Sequence, residues 1–523
     1  MDHHRDTAGL DGLQPILRAG RNCWRIERAE RVAVLVDGDA FFTAVRAAML
    51  RARHSILVLG WDIDPRMRLD PGNPETLGEF LSGLVRVRPS LHVHALKWDM
   101  PFPISLEHPH GPLERLDRQT GRRLALKLDD ALPVGAAQHQ KVVVIDDALA
   151  FCGGIDLAGD RWDTPEHRDH DPRRRWPTGE LHAPRHDVMM AVDGAAARAL
   201  GELARERWRY ATGAAGEDLP AAAAPGGSDP WPEDLAPLLT GAEVGIARTL
   251  PDSLVGTEIR ENEALTFAAI AGARRTIYLE NQYFASFRVA EALARRLKEP
   301  DGPEVVVVVP MESPSWFDRM AMDTPRGVVL QELRAADRHG RLRAMTPVTE
   351  GGTGIVVHSK VMVVDDRLLR IGSSNLNNRS MGYDTECDLA VEARPEDDTI
   401  TAAIRAVRNR LLAEHMGVDA SDLSAAIRQA GSLITAMDRL AKPSGRRLVP
   451  LPDTDPSLTE QAFATLRIAD PDRPEEAWAV WKRMPPAPPP ARSLTRAVGA
   501  ALLTAGAIVG AYAAVRGVMG KDW

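Results

Sequence analysis

The chain has 523 residues, 44% of them apolar and 26% charged, with a formal net charge of −8. That length allows two or three domains, or one duplicated large domain, and the acidic balance argues against a general nucleic-acid binder. Its three cysteines, Cys23, Cys152 and Cys387, are too few and too scattered for a disulfide framework or a thiolate zinc site, and fit a reducing compartment.

Met1–Asp6 opens a 1–22 segment without the apolar stretch of a secretory signal, so the main body is expected in the cytosol. A first domain is expected over 23–210, with a helix at Ala40–Arg53 and strands at Ser55–Leu59 and Leu91–Leu96. Residues 211–240, rich in Ala, Pro, Gly and Asp, read as a linker. A second domain over 241–416 repeats the order, with a helix at Glu261–Arg274 and strands at Thr276–Leu279 and Val305–Val309. This predicts an α/β fold: two copies of one domain, each with a mixed, buried sheet, facing each other.

The 417–484 extension carries an amphipathic helix at Ser421–Ala441, then mostly loop with one short helix over Lys442–Asp472. Pro485–Pro490 makes 485–496 a stiff spacer. Ala497–Val515 has no charged residue, is flanked by Arg492, Arg496, Arg516 and Lys521, and contains Gly506-x-x-x-Gly510. About 20 apolar residues span a bilayer core, so 497–515 is a candidate transmembrane helix.

The strongest signal is a repeated string. His139-Gln140-Lys141-x4-Asp146-x6-Gly153-Gly154 recurs as His358-Ser359-Lys360-x4-Asp365-x6-Gly372-Ser373, 219 positions later. On a strand, His139 and Lys141 share a face, as do His358 and Lys360, while Asp146 and Asp365 point away and serve as anchors. Asp146-Asp147 and Asp365-Asp366 are turn-formers, so a hairpin return is expected to bring Gly153-Gly154, or Gly372-Ser373, beside the His/Lys end. Lack of bulk there lets a phosphate approach backbone N–H groups. Asp156 and Asn375, at one common distance after each histidine, are expected to line the site. Two histidines and two lysines brought together can cut and remake a phosphodiester without a metal, so neither metal nor other cofactor is expected. His167, Asp169, His170 and Asp171 lack ligand spacing and read, with Arg173–Arg175, as a solvated loop. His108-Pro109-His110 reads as a turn, and Trp61, Trp98 and Trp162 as core or pocket walls.

Over about Cys23–Met416 the chain resembles the phospholipase D superfamily, whose defining motif is His-x-Lys-x4-Asp in two copies. The resemblance is sharpest in Gly153-Gly154-Ile155-Asp156-Leu157, Arg161-Trp162-Asp163, Glu280-Asn281-Gln282-Tyr283-Phe284 and Gly372–Ser380. It implies paired α-β-α sandwich domains with one active site at their pseudo-twofold interface, in a compact bacterial-type form. Its implied catalytic set is His139, Lys141, Asp146, His358, Lys360 and Asp365. His139 is the implied nucleophile, forming a phosphohistidine, and His358 the acid/base. Asp187 and Glu386 are the implied histidine-orienting carboxylates, and Gly153, Gly154, Asp156, Ser373 and Asn375 the phosphate-binding set. The implied activity is phospholipid headgroup hydrolysis to phosphatidate, with phosphatidyl transfer to alcohols. The partners are then a phospholipid substrate and a membrane surface, with no specific nucleic acid. The implied location is the cytoplasmic side of the inner membrane. A cardiolipin synthase-like transferase is the alternative, although those enzymes typically have Asn where Asp156 stands. A nuclease and an inactive lipid-binding scaffold are more distant readings.

Overall fold

The computed structural model describes residues 14–100, 123–133, 135–213, 219, 229–315, 318–453 and 470–473. The spacer 485–496, the candidate membrane helix 497–515 and the His108–His110 turn lie outside these residues. Among the described residues, no helix is long and apolar enough to cross a membrane.

The first half runs β1 (Arg25–Val36), α1 (Asp37–Met49), β2 (Ser55–Gly60), α2 (Leu77–Val87), β3 (His92–Trp98) and β4 (Leu124–Asp129). It continues through β5 (Val142–Ile145), β6 (Leu149–Gly153), β7 (Arg185–His186), β8 (Val188–Asp193) and α3 (Gly194–Thr212). The second half starts with β9 (Leu239–Leu250), α4 (Asp252–Val255), β10 (Ile259–Arg260), α5 (Glu261–Gly272), β11 (Thr276–Glu280), α6 (Phe287–Lys298) and β12 (Glu304–Val308). A π-helical turn at Arg319–Asp323 leads into α7 (Thr324–Ala336), β13 (Leu342–Val348), β14 (Val356–Val357), β15 (Val361–Val364) and β16 (Leu368–Gly372). After α8 (Asn378–Gly382), β17 (Glu386–Glu392) and α9 (Asp398–Met416) come α10 (Ala420–Ala430), α11 (Leu433–Leu440) and β18 (Arg447–Pro450).

One mixed sheet carries both halves in the order β4-β3-β2-β5-β6-β8-β1-β9-β17-β16-β15-β11-β12-β13-β18. Read from the β1–β9 seam outwards, the two wings have matching strand order, with β18 added at one edge. The copies therefore do not face each other as separate sheets. They join edge to edge, β1 antiparallel to β9 from Arg25↔Ile246 to Val32↔Leu239, which removes two exposed edges. Neither seam strand was among the expected ones, because Arg25, Glu27, Arg28, Glu30 and Arg31 break the apolar pattern of β1.

Helices cover both faces, giving three layers. α3, α9, α10 and α11 pack on one face in a core that spans both halves, from Val32 and Val188 to Ile371 and Leu389. The opposite face carries α1 and α2 over the first half, and α5, α6 and α7 over the second. The inner strands are buried on both sides, as β2, β5 and β15 show throughout their lengths. The helix expected over Ser421–Ala441 is two helices. Gly431 takes a left-handed φ of 68° that ends α10, and the Ser432 hydroxyl accepts from Thr435 N to cap α11. The loop expected beyond it contains β18, paired with β13.

Each motif hairpin turns on two aspartates in the left-handed region: Asp146 and Asp147 at φ 52°, Asp365 and Asp366 at 54° and 57°. Both central positions of such a turn need φ > 0, which Asp tolerates better than most residues. The first carboxylate of each pair clamps the start of the neighbouring strand. Asp146 accepts from the N–H groups of Arg53, His54 and Ser55 at 2.7–2.8 Å, and Asp365 from those of Arg274, Arg275 and Thr276 at 2.6–2.8 Å. The second pairs with a helix: Asp147 with Arg205 of α3 at 2.6 Å, and Asp366 with Arg408 of α9. Asp146→Ala should lower unfolding free energy by roughly 3 kcal/mol, since three donors lose a charged acceptor. Urea denaturation checks this, and a loss below about 0.5 kcal/mol would remove the clamp from the account.

Candidate active site

Both histidines sit where the two halves meet, just ahead of β5 and β15. Their backbones are held by the opposite half: His139 N donates to Thr385 O at 3.1 Å, and His358 N to His186 O at 2.8 Å. The side chains cross as well. His139 Nδ1 lies 3.0 Å from both Glu386 oxygens, and His358 Nδ1 lies 2.7 Å from Asp187 Oδ2. Each carboxylate thus fixes the tautomer of the other half's imidazole, leaving Nε2 as the free nitrogen. The resemblance implies both carboxylates but not this exchange. Ser373 Oγ donates to Glu386 Oε2 at 2.5 Å, bracing the first pair.

The lysines fold back beside their histidines. Lys141 Nζ reaches His139 O at 3.0 Å and Asp156 Oδ2 at 3.3 Å. Lys360 Nζ reaches His358 O at 2.5 Å and Gln282 Oε1 at 2.9 Å. Asp156 is therefore the counter-ion of Lys141, with Arg161 3.8 Å away, and not a phosphate ligand; its negative charge would repel one. Gln282 is a site residue that the motif analysis missed. Its signal was present in Glu280-Asn281-Gln282-Tyr283-Phe284, but nothing in spacing marked the amide as a lysine partner.

The expected phosphate-facing backbone is also corrected. Gly154 N donates to Val188 O, Gly153 N to Lys141 O, and Ser373 N to Asp388 Oδ1 and Cys387 O. Those N–H groups are spent within the fold. The residues are small because a Cβ on Gly154 would fall 2.0 Å from Asp187 Oδ1, and one on Gly372 2.0 Å from Asp388 Oδ1. Asn375 is buried with its acceptor Oδ1 unpartnered, while its Nδ2 is the end that donates to an anion. Asp146 and Asp365, expected in the catalytic set, lie at the far turns of their hairpins and serve as backbone clamps.

His167, Asp169 and Asp171 take separate partners. His170 is exposed, Asp169 accepts from Gly351 N at 2.7 Å, and Asp171 pairs with Arg173 at 2.6 Å. His167 and Arg174, expected in solvent, are instead fully buried around Asp163. Trp61 and Trp98 lie 5.9 Å apart with their rings tilted by 35°, in a small apolar group with Met100 and Ala137. Trp162 packs in the first half's core.

Burial, then Lys141 and Lys360, holds His139 well below the usual imidazole range. Burial, then Lys360, Arg185, Arg161 and Lys141, does the same to His358. Each histidine feels the lysine of the other motif, so the two strings share one electrostatic site. Burial lowers Lys360 to about 7, against the opposing pull of Asp187. Burial also raises Glu386 to about 8 and Asp187 above its usual value. Two ammonium groups and two guanidinium groups around neutral imidazoles favour an anion and disfavour a cation. Lys360 carries its charge below about pH 7 and loses it as pH rises through that value. Sulfate, whose charge is constant over this range, should bind at least roughly tenfold more weakly at pH 9 than at pH 6. Calorimetric titration at fixed ionic strength tests this; affinity independent of pH would contradict it.

A family model described as "Cardiolipin synthase, PLD-like domain" matches residues 267–410, which hold the second motif. Phospholipase D A of Dictyostelium discoideum is 24% identical over 475 residues, covering 74% of this chain and 36% of that protein. Phospholipase D alpha 1 of Nicotiana tabacum is 24% identical over 510 residues, covering 71% and 63%. The chain thus spans less than two thirds of either relative. The crystal structure of phosphatidylserine synthase from Haemophilus influenzae Rd KW20 superposes with a TM-score of 0.50 at 15% identity, covering 74% of this chain and 87% of that one, a likeness of fold. With the paired motifs meeting at one centre on this fold, these likenesses support a phospholipase D superfamily reading of the chain.

Proposed function

We propose that this chain is a phospholipase D-type phosphodiesterase and phosphatidyltransferase, acting on phospholipid headgroups through a phosphohistidine. The crossed pairs His139–Glu386 and His358–Asp187, set among Lys141, Lys360, Arg161 and Arg185, carry this reading. They supply two oriented imidazoles and a cationic seat for one phosphodiester. His139 Nε2 attacks phosphorus, and the bond to the headgroup oxygen breaks as His358 gives that oxygen its proton. Water or a second alcohol then attacks phosphorus while His358 takes its proton, and the P–N bond breaks. His358 must be protonated for the first half-reaction. The bound phosphate provides for this, because its negative charge offsets the cations that keep the imidazole neutral in the empty site. Lys141, Lys360 and the Asn375 amide stabilise charge on the non-bridging oxygens.

A test uses purified full-length protein with mixed phospholipid vesicles, chelator and a little ethanol. Phosphatidate and phosphatidylethanol are expected, falling by roughly 10³-fold or more in His139→Ala and in His358→Ala. No lipid product from the wild type, or equal product from either variant, would sink the proposal. A cardiolipin synthase-like reading draws on the description of the matching family model. It requires diphosphatidylglycerol from phosphatidylglycerol alone.

For location, we propose that 497–515 anchors the body to the cytoplasmic side of a membrane. Deleting 497–523 should leave turnover on detergent-dispersed lipid within about twofold while sharply lowering vesicle co-sedimentation. Unchanged co-sedimentation would refute the anchor.

A further inference from the structure

Beneath the candidate active site lies a second cluster that the proposed chemistry does not use. Asp37, at the start of α1, and His167 and His186 come from the first half, while Glu414 comes from α9 of the second. All four side chains are buried, and one ligand atom from each lies within 4.8 Å of the others. The ring nitrogens approach the carboxylates at 2.9–3.6 Å, with the two rings facing different oxygens of Asp37. His186 Nδ1 is 2.9 Å from Glu414 Oε1 and 3.1 Å from Asp37 Oδ1. His167 Nε2 is 3.3 Å from Glu414 Oε1 and 3.6 Å from Asp37 Oδ2. A tetrahedron with metal–ligand bonds of about 2.0–2.1 Å has edges of roughly 3.3 Å.

The opposite ring nitrogens supply an independent observation. His167 Nδ1 lies 3.0 Å from Asp163 Oδ2, and His186 Nε2 lies 3.0 Å from Glu280 Oε2. Both outer carboxylates are fixed in turn: Asp163 accepts from Arg174 and from Arg185 N, and Glu280 from Tyr278, Ser359 and His415. A metal-bound histidine characteristically donates its other N–H to such a carboxylate, which sets the tautomer and raises the basicity of the ligating nitrogen. With those protons directed outwards, two imidazole lone pairs confront two carboxylates in a buried space. Asp37 Oδ2 points into it with no hydrogen-bond partner. Bare lone pairs and carboxylates at these distances repel, so the space holds either ring protons, which the neighbouring carboxylates favour on both histidines, or a metal cation.

We propose that Asp37, His167, His186 and Glu414 form a structural site for a divalent transition metal, of which zinc fits the geometry and ligand set best. Two imidazoles and two carboxylates neutralise a divalent ion and complete four-coordination, leaving no open position for substrate or water. The ion would tie α9 to the first half and hold Asp187 in place. Asp187 N faces Asp37 Oδ1 at 3.4 Å, and Asp37 N donates to Asp187 O at 2.8 Å. This assignment rests on coordination geometry and stands or falls separately from the proposed reaction. Such an enclosed ion would also exchange slowly with chelator during a short assay.

The test is to produce the untagged full chain in medium supplemented with cobalt, then record metal content and visible absorption. About one ion per chain is expected, with the ligand-field bands of four-coordinate Co²⁺, and zinc should occupy the same site in ordinary medium. Glu414→Gln and Asp37→Asn, which keep the side-chain volume, should drop the content below about a tenth of an ion and abolish the bands. If either variant fails to fold, the wild type decides alone. Wild-type protein with less than about a tenth of an ion per chain, whether zinc, cobalt, manganese or iron, overturns the proposal and leaves two protons as the occupants. Metal retained in both folded variants, or bands of six-coordinate Co²⁺, overturns it too.

Discussion

The arrangement on which the rest depends is the exchange of carboxylates across the seam. Glu386 of the second half holds His139, and Asp187 of the first holds His358. Each half alone would bury a histidine without its acceptor and a carboxylate without its donor. Breaking one buried, hydrogen-bonded pair costs about 3–5 kcal/mol, a large share of a domain's net stability. The two halves are therefore committed to each other by the same contacts that build the site. The β1–β9 seam and the core shared beneath α3 and α9 make that commitment rigid.

A duplicated scaffold surrounds a centre that is not symmetric. The turn aspartates, their strand clamps and the arginines behind them, Arg205 and Arg408, repeat faithfully between the halves. The charges at the centre do not. Lys141 is neutralised by Asp156, whereas Lys360 leans on the Gln282 amide. His358 faces Arg161 and Arg185, while the field at His139 includes Asp384 and Asp156. Two histidines in one mechanism need different proton affinities at the same moment, and these substitutions break the equivalence that duplication would impose. Asp156 against Asn375 is the clearest single difference.

Much of this was legible because periodicity and turn chemistry are local. The strands β2, β3, β11 and β12 and the hairpin β5–β6 follow from short apolar runs and from Asp-Asp turns. The pair of His-x-Lys strings marked the chemistry, since two copies in one register are hard to obtain by chance. What misled was also local. Glycines that look like a phosphate loop are small because Asp187 and Asp388 press against them. A loop rich in charge proved to carry His167 and Arg174 into the interior.

The sequence by itself determined the α/β class, the duplication and the identity of the four His and Lys side chains, which depend on residue type and local spacing. The two acids that orient the rings were implied only by the family resemblance. Only the tertiary structure decided which acid serves which histidine, that Asp156 belongs to Lys141, that the two halves share one sheet, and that Asp37, His167, His186 and Glu414 converge. Apart from Asp156 with Lys141, which lie 15 positions apart in one half, those are contacts between residues far apart in the chain or on opposite sides of the seam. Nothing in local pattern encodes them; they follow from how the two wings dock, where burial forces every charge to find a partner.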